Sequence, residues 1–140
     1  MRQKQGGFTL FELLVVTTLV AVLASIAMPR YTEYLQRSHR VHAQAALLRA
    51  AQWLERAATA QGSYPERKAI PASVLSVEGD RYTLGFRSLD ASSYRLQATP
   101  IGAQGSDPCG VFELNETGAR AQIATSLVPA PLPTQACWNR

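Results

Sequence analysis

The feature that most constrains this chain is an apolar run near its start, FTLFELLVVTTLVAVLASIAM, residues 8–28, which carries a single charge, Glu12. As a helix, these 21 residues reach about 31 Å at ~1.5 Å per residue, close to the hydrocarbon thickness of a bilayer. Such a run has three fates. It stays as a plain transmembrane anchor. It is removed as a secretory signal, for which Ser25-Ile26-Ala27 offers a small-x-small cut. Or it is kept, and only the short leader MRQKQGG ahead of it is removed.

The third fate explains more residues. A cut after Gly7 makes Phe8 the first residue and leaves Glu12 four positions from the new amine. An uncompensated carboxylate near the bilayer centre costs about 2.5–3.5 kcal/mol, less towards the ends, so Glu12 needs a partner. It either neutralises its own helix N-terminus and amine, where the macrodipole favours acids, or meets the Phe8 amine of a neighbouring chain. In the second arrangement a wrong axial offset strands a buried charge. One acid would then both drive assembly and set its register. Arg2 and Lys4 precede the run, but Arg30, Arg37 and Arg40 follow it, so a count of positive residues does not orient the span. The leader is placed in the cytoplasm because long exported domains cross largely regardless of charge.

Beyond the run, Pro29 either ends the helix or kinks a longer one. Continuation is favoured. Residues 30–61 are rich in Ala, Leu, Gln and Arg, and Leu47, Ala51, Leu54 and Ala58 recur at helical spacing with Ala43, Ala50 and Ala57 beside them. Arg49, Gln52 and Arg56 fall off this stripe. Gly62 and Tyr64-Pro65 end the helix, which from residue 8 to 61 would be about 80 Å long. Its first half is apolar all round and its second half is amphipathic. Residues 66–80 read as an irregular connector. Four short strands follow at Tyr82–Phe86, Tyr94–Ala98, Gly110–Leu114 and Ala119–Ile123, with a turn at Asn115-Glu116-Thr117-Gly118. They predict an α+β fold, a long N-terminal helix on a four-stranded antiparallel meander. The division is 1–7 leader, 8–28 membrane half, 29–61 amphipathic half and 62–140 head. The prolines at 129, 131 and 133 exclude a further strand. Cys109 and Cys137 are a disulfide if the chain is exported and two free thiols if it is cytosolic. Closing the loop would stabilise the fold by roughly 3–4 kcal/mol.

Residues 6–12, GGFTLFE, resemble the cleavage and methylation signature of type IV prepilins, with a basic leader, a glycine and an acid in fifth place after the cut. The resemblance implies that a membrane-embedded prepilin peptidase cuts between Gly7 and Phe8 and methylates the Phe8 amine, and that Glu12 acts in assembly. The second half is similar to the same family. That family's spine helix on a four-stranded sheet matches the fold read above, in which Pro29 kinks one continuing helix, and Cys109–Cys137 matches the disulfide that bounds the C-terminal region. LQATP, CGVFELNETG and Cys137-Trp138 resemble minor pilins of type IVa pili. The implied function is a structural subunit of a type IV pilus, serving twitching motility, adhesion or DNA uptake. Implied partners are other pilins, the peptidase, an inner-membrane platform and an assembly ATPase. The implied location is the inner membrane with the head in the periplasm, then the surface fibre. Alternatives are a type II secretion pseudopilin, or a soluble secreted binding protein cut after Ala27.

Neither a catalytic nor a cofactor site emerges. No serine or threonine sits in a nucleophile motif, and Gly-rich phosphate loops are missing. His39 and His42 lie three apart with no third ligand nearby and read as solvated helix residues rather than a metal site. Asn115-Glu116-Thr117 fits the glycosylation pattern, but the turn accounts for it equally. The net charge of +4 comes from 14 basic and 10 acidic residues, and losing Arg2 and Lys4 with the leader lowers it. Arg30, Arg37, Arg40, Arg81, Arg87, Arg95, Arg120 and Arg140 would bind DNA phosphates if gathered on one face. Acids interleave with them, so a mixed solvated surface is the expected arrangement, with Trp138 capping the core.

Overall fold

The computed structural model describes residues 7–139. The leader ahead of Gly7 and Arg140 lie outside these residues. A single helix, α1, runs Leu10–Gln61. It continues through Pro29, so the apolar helix does not end there. Two compact units divide between Leu35 and Gln36.

Among its described residues, the first unit is the N-terminal part of α1 with Gly7–Thr9 ahead of it. It contains the one stretch among the described residues long and apolar enough to cross a membrane, and none of that stretch is buried within the protein. The hydroxyls of that stretch are satisfied locally. Thr17 and Thr18 hydroxyls donate to the carbonyls of Leu13 and Leu14, and Ser25 donates to Val22. No hydroxyl of the run needs water, which suits a helix meant for lipid or for other helices.

The second unit packs the C-terminal part of α1 on a sheet. Ala43, Ala46, Leu47, Ala50 and Leu54 are fully buried, as the helical spacing predicts; Ala51 and Ala58 sit at the margin, half-buried. The small alanines let the helix lie close to the strands, and Leu47 and Leu54 fill the space between. Gly62 ends α1 with a positive φ of 79° and donates to Ala58 O at 2.7 Å, the left-handed ending that glycine adopts without a Cβ penalty.

The strands are β1 Tyr82–Leu89, β2 Tyr94–Pro100, β3 Val111–Asn115 and β4 Arg120–Ile123, in spatial order β1-β2-β3-β4, all antiparallel. This is the expected meander, with longer first strands. β1 extends past Phe86 through a bulge between Phe86 and Ser88. β2 keeps Pro100 because β3 pairs only with Arg95–Ala98, so the missing N–H costs no ladder bond. On β2, Tyr94, Leu96, Ala98 and Pro100 are buried while Arg95 and Thr99 are exposed. Tyr82, Phe112 and Trp138 form an edge-to-face row with centroids 6.0 and 5.4 Å apart. Trp138 thus closes the core, as the sequence suggests. It belongs to a five-residue helix, α2 Thr134–Trp138, which the proline-rich sequence does not announce. Short 3-10 turns at Arg67–Ala69 and Ala72–Leu75 occupy the connector, and another lies at Gly102–Ser106.

Candidate functional site

At the N-terminus, Phe8 is 87% exposed and Thr9 precedes the first residue of α1. The Thr9 N–H and hydroxyl both donate to Glu12 Oε2 at 2.9 Å, and the Glu12 N–H donates back to Thr9 Oγ1 at 3.2 Å. This is a capping box, in which helix-end donors and a carboxylate satisfy one another. In the isolated chain Glu12 is therefore compensated by its own helix, the first of the two arrangements open from sequence. The described residues supply Oε1 with no donor. Phe8, Leu13 and Val16 form with Glu12 a surface hollow of about 280 Å³. The carboxylate is held on one side and open on the other.

In the head, Cys109 and Cys137 are bonded across 28 residues. Two straps tie this region to α1, one at Asp107 just ahead of the closed loop and one at Cys137 that ends it. Arg40 Nε donates to Asp107 Oδ1 at 3.0 Å and Oδ2 at 2.8 Å. Asp107 also accepts the Cys109 N–H at 2.8 Å and the Gln104 amide at 2.6 Å. Gln44 Nε2 donates to Cys137 O at 2.8 Å. Arg40 is 5% and Asp107 0% exposed. Burial, and then the Asp107 charge, push the neighbouring Tyr82 hydroxyl well above its ordinary pKa, so it stays a neutral hydrogen-bonding group. Gly110 follows Cys109 with φ +61°, and a Cβ there would stand 2.7 Å from Ile123 O, so only glycine lets the chain leave the disulfide and enter β3. Replacing Cys109 with serine is expected to cost the head about 3–4 kcal/mol, read as a lower midpoint in denaturant, with membrane insertion unchanged.

Two expectations are corrected. Arg40 belongs to no solvated or DNA-facing surface, because it is buried against Asp107; in sequence it extends the buried row Ala43, Leu47, Ala50, Leu54 at helical spacing, and that signal was legible. His39 and His42 are not simply solvated. His39 Nδ1 lies 3.1 Å from Gln104 Oε1 and His42 Nδ1 3.3 Å from Glu78 Oε2. They face different partners, and no cluster of three metal-ligating side chains exists among the described residues. Asn115 makes the turn, its Oδ1 accepting the Thr117 hydroxyl and the Ala119 N–H at 2.9 and 2.7 Å.

The other head arginines divide. Arg87 and Arg95 both reach Glu113 at 3.5 Å, and Gln97 donates to it at 2.9 Å. Two guanidiniums thus share one carboxylate, whose side chain is 7% exposed, leaving one positive charge in excess. Arg120 lies 4.8 Å over the Trp138 ring and Arg67 lies 5.2 Å over Phe86, where cation–π attraction holds them. Glu55 accepts the hydroxyls of Tyr64 and Tyr94 at 2.9 and 3.1 Å. Burial, and then Glu55, push the Tyr64 hydroxyl up to about 12 and Tyr94 higher still, so both remain donors.

Against known proteins, residues 29–113 match the family described as type IV minor pilin ComP, DNA uptake sequence receptor. This chain belongs to the type IV minor pilins. Residues 2–28 of the pilin match the prokaryotic N-terminal methylation motif, which agrees with the prepilin signature and the exposed apolar helix. Fimbrial protein EcpC of Eikenella corrodens is 47% identical over 38 residues, 27% of this chain and 25% of that one. Type IV major fimbrial protein FimA of Dichelobacter nodosus is also 47% identical over 38 residues, 27% of this chain and 24% of that one. The match spans about a quarter of the length of these curated relatives. A type IV pilin structure from Shewanella oneidensis is 30% identical, with a TM-score of 0.51, covering 61% of this pilin and 90% of that chain. The non-core minor pilin PilV of Neisseria meningitidis shares the fold at 22% identity and a TM-score of 0.53, covering 66% and 91%.

Proposed function

We propose that this minor pilin is a structural subunit of a type IV pilus. A prepilin peptidase cuts between Gly7 and Phe8, and the Phe8 amine is methylated. Residues 8–28 hold the subunit in the inner membrane with its head in the periplasm. A platform protein and an assembly ATPase then move it into the fibre, where helices of other pilins replace lipid around the run. Little apolar surface meets water in that exchange, so extraction does not oppose the full hydrophobic cost. The observation that carries this reading is a wholly exposed apolar helix with one carboxylate at its start, open on one side. A neighbour's Phe8 amine fits that open side in charge and in depth.

Intact-mass measurement of the mature chain tests processing. The expected species begins at Phe8, carries one added methyl group, and lacks two hydrogens at the disulfide. A species beginning after Ala27 would overturn the reading. Recovery of the subunit in sheared surface fibres separates a pilus from a type II secretion machine.

The description of the matching family as a DNA uptake sequence receptor favours a second reading, in which the head also binds DNA. The excess positive charge of Arg87 and Arg95 about Glu113, on the sheet face away from α1, would contact phosphates. Such binding falls steeply with salt. Affinity that does not change between low and high salt, or that survives Arg87→Gln with Arg95→Gln, excludes this role for the sheet face.

A further inference from the structure

One cleft of the head is used neither by the core nor by the disulfide loop. Arg49, Gln52, Trp53 and Arg56 line it from α1, and Ser73 and Val74 line it from the 3-10 turn opposite. The four helix residues recur at i, i+3, i+4 and i+7, so they share one face. No acid lines the cleft. Arg49 is held in place because one Nη donates to Ser76 O at 3.0 Å, and its other N–H groups remain available. The described residues offer no hydrogen-bond or ion-pair partner to Arg56, to the Gln52 amide or to the Trp53 indole N–H. Glu55, the acid next to Arg56, takes two tyrosine hydroxyls on Oε1 and lines, with Glu116, a neighbouring hollow that Gln52 and Arg56 also border. Trp53 is half-buried and packs on the core, so its position is fixed while part of it stays accessible.

We infer that this cleft binds an acidic polysaccharide, a chain of sugar rings with a carboxylate on every second ring. Its lining sets two guanidiniums and an aromatic surface beside the Gln52 amide and the Ser73 hydroxyl, which can each donate and accept, with no carboxylate among them, and this suits an anionic, hydroxyl-bearing ligand with an apolar ring edge. The guanidiniums take carboxylates, preferably in paired hydrogen bonds. Gln52 and Ser73 take hydroxyls, and Trp53 takes the C–H side of a ring. The cleft holds about 230 Å³, below the ~300–1,000 Å³ of pockets that enclose a whole small molecule. It therefore seats one ring of a chain that continues past it. Arg49 and Arg56 are two turns apart, about 10.5 Å along the axis. That is a sparse charge spacing compared with the phosphate every ~3.4 Å along a DNA strand. The cleft shares no residue with the Arg87–Glu113–Arg95 cluster, so it stands whether or not the sheet face binds DNA.

The test uses the full mature chain in detergent micelles. It is titrated with a tetrasaccharide of alternating glucuronate and N-acetylglucosamine, the same compound with its carboxylates reduced to alcohols, and a single-stranded oligonucleotide of equal charge. Indole fluorescence and calorimetry report binding. Saturable binding of the glucuronate compound is expected, weakened at least tenfold by carboxylate reduction and by Arg56→Gln. Gln52→Ala should weaken it several-fold. Both positions are exposed, and unchanged thermal unfolding verifies that each variant is folded. Equal binding of the reduced compound, full affinity in both variants, no saturable binding, or tighter binding of the oligonucleotide through the same residues would overturn the assignment.

Discussion

Glu12→Ala is expected to yield a subunit that is cut, inserted and folded, yet nearly absent from fibres. Removing the carboxylate makes the helix easier to place in lipid, by up to about 2.5–3.5 kcal/mol, so insertion does not suffer. In the bundle proposed above, the same change would leave a neighbour's amine buried without a partner. Losing one member of a buried pair costs about 3–5 kcal/mol, and at ~1.4 kcal/mol per factor of ten incorporation should fall by about two to three and a half orders of magnitude. The measurement is the ratio of the variant in sheared fibres to that in membranes, by quantitative immunoblot. Glu12→Gln separates charge from hydrogen bonding, since the amide oxygen still accepts from Thr9 but carries no charge. Incorporation of both variants near the wild-type ratio would remove the assembly role from Glu12.

Asp107→Ala should be the most damaging single change in the head. It leaves the Arg40 guanidinium buried and unpaired and deprives Gln104 and the Cys109 N–H of their acceptor. The cost is about 3–5 kcal/mol, a large share of the 5–15 kcal/mol that holds a typical domain together. At ~4 °C or more per kcal/mol for a domain near 100 residues, the melting midpoint should drop by at least about 12 °C. Heating the mature protein in micelles while following tryptophan fluorescence checks this. The double variant Arg40→Met with Asp107→Leu should recover the share of the loss that comes from a lone buried charge, but not the share from Gln104 and the Cys109 N–H, which still lack their acceptor. A midpoint within a few degrees of wild type for Asp107→Ala alone would show that the pair is not a principal strap.

What the sequence made legible was local or periodic. The apolar run, the fifth-place acid and the Ala–Leu row each announce themselves within a turn or two of helix. β2 alternates cleanly enough to be read by eye, and only its end was missed, since Pro100 looks like a terminator until β3 is seen to stop short of it. What stayed hidden depends on distant partners. Gln104 meets His39 across 65 positions, and Asp107 meets Arg40 across 67. No window on the sequence joins those residues, although the helical spacing that runs Arg40 into Ala43 and Leu47 hinted that this arginine faces inward. Likewise the capping box could be read from Thr9 and Glu12, but which oxygen of the carboxylate stays open depends on side-chain geometry.

The two straps at the ends of the disulfide loop, Arg40–Asp107 just before it and Gln44–Cys137 at its close, bear on how the head meets mechanical load. Tension arriving along α1 passes at Arg40 to Asp107, two residues ahead of a covalently closed ring, and at Gln44 to Cys137 in the ring itself, not to a free tail. Such a ring does not peel away one residue after another. Both anchors must let go nearly together, so the head should resist a steady pull up to a sharp rupture force and then yield abruptly, and reducing the sulfur bridge should turn that abrupt yield into gradual unravelling.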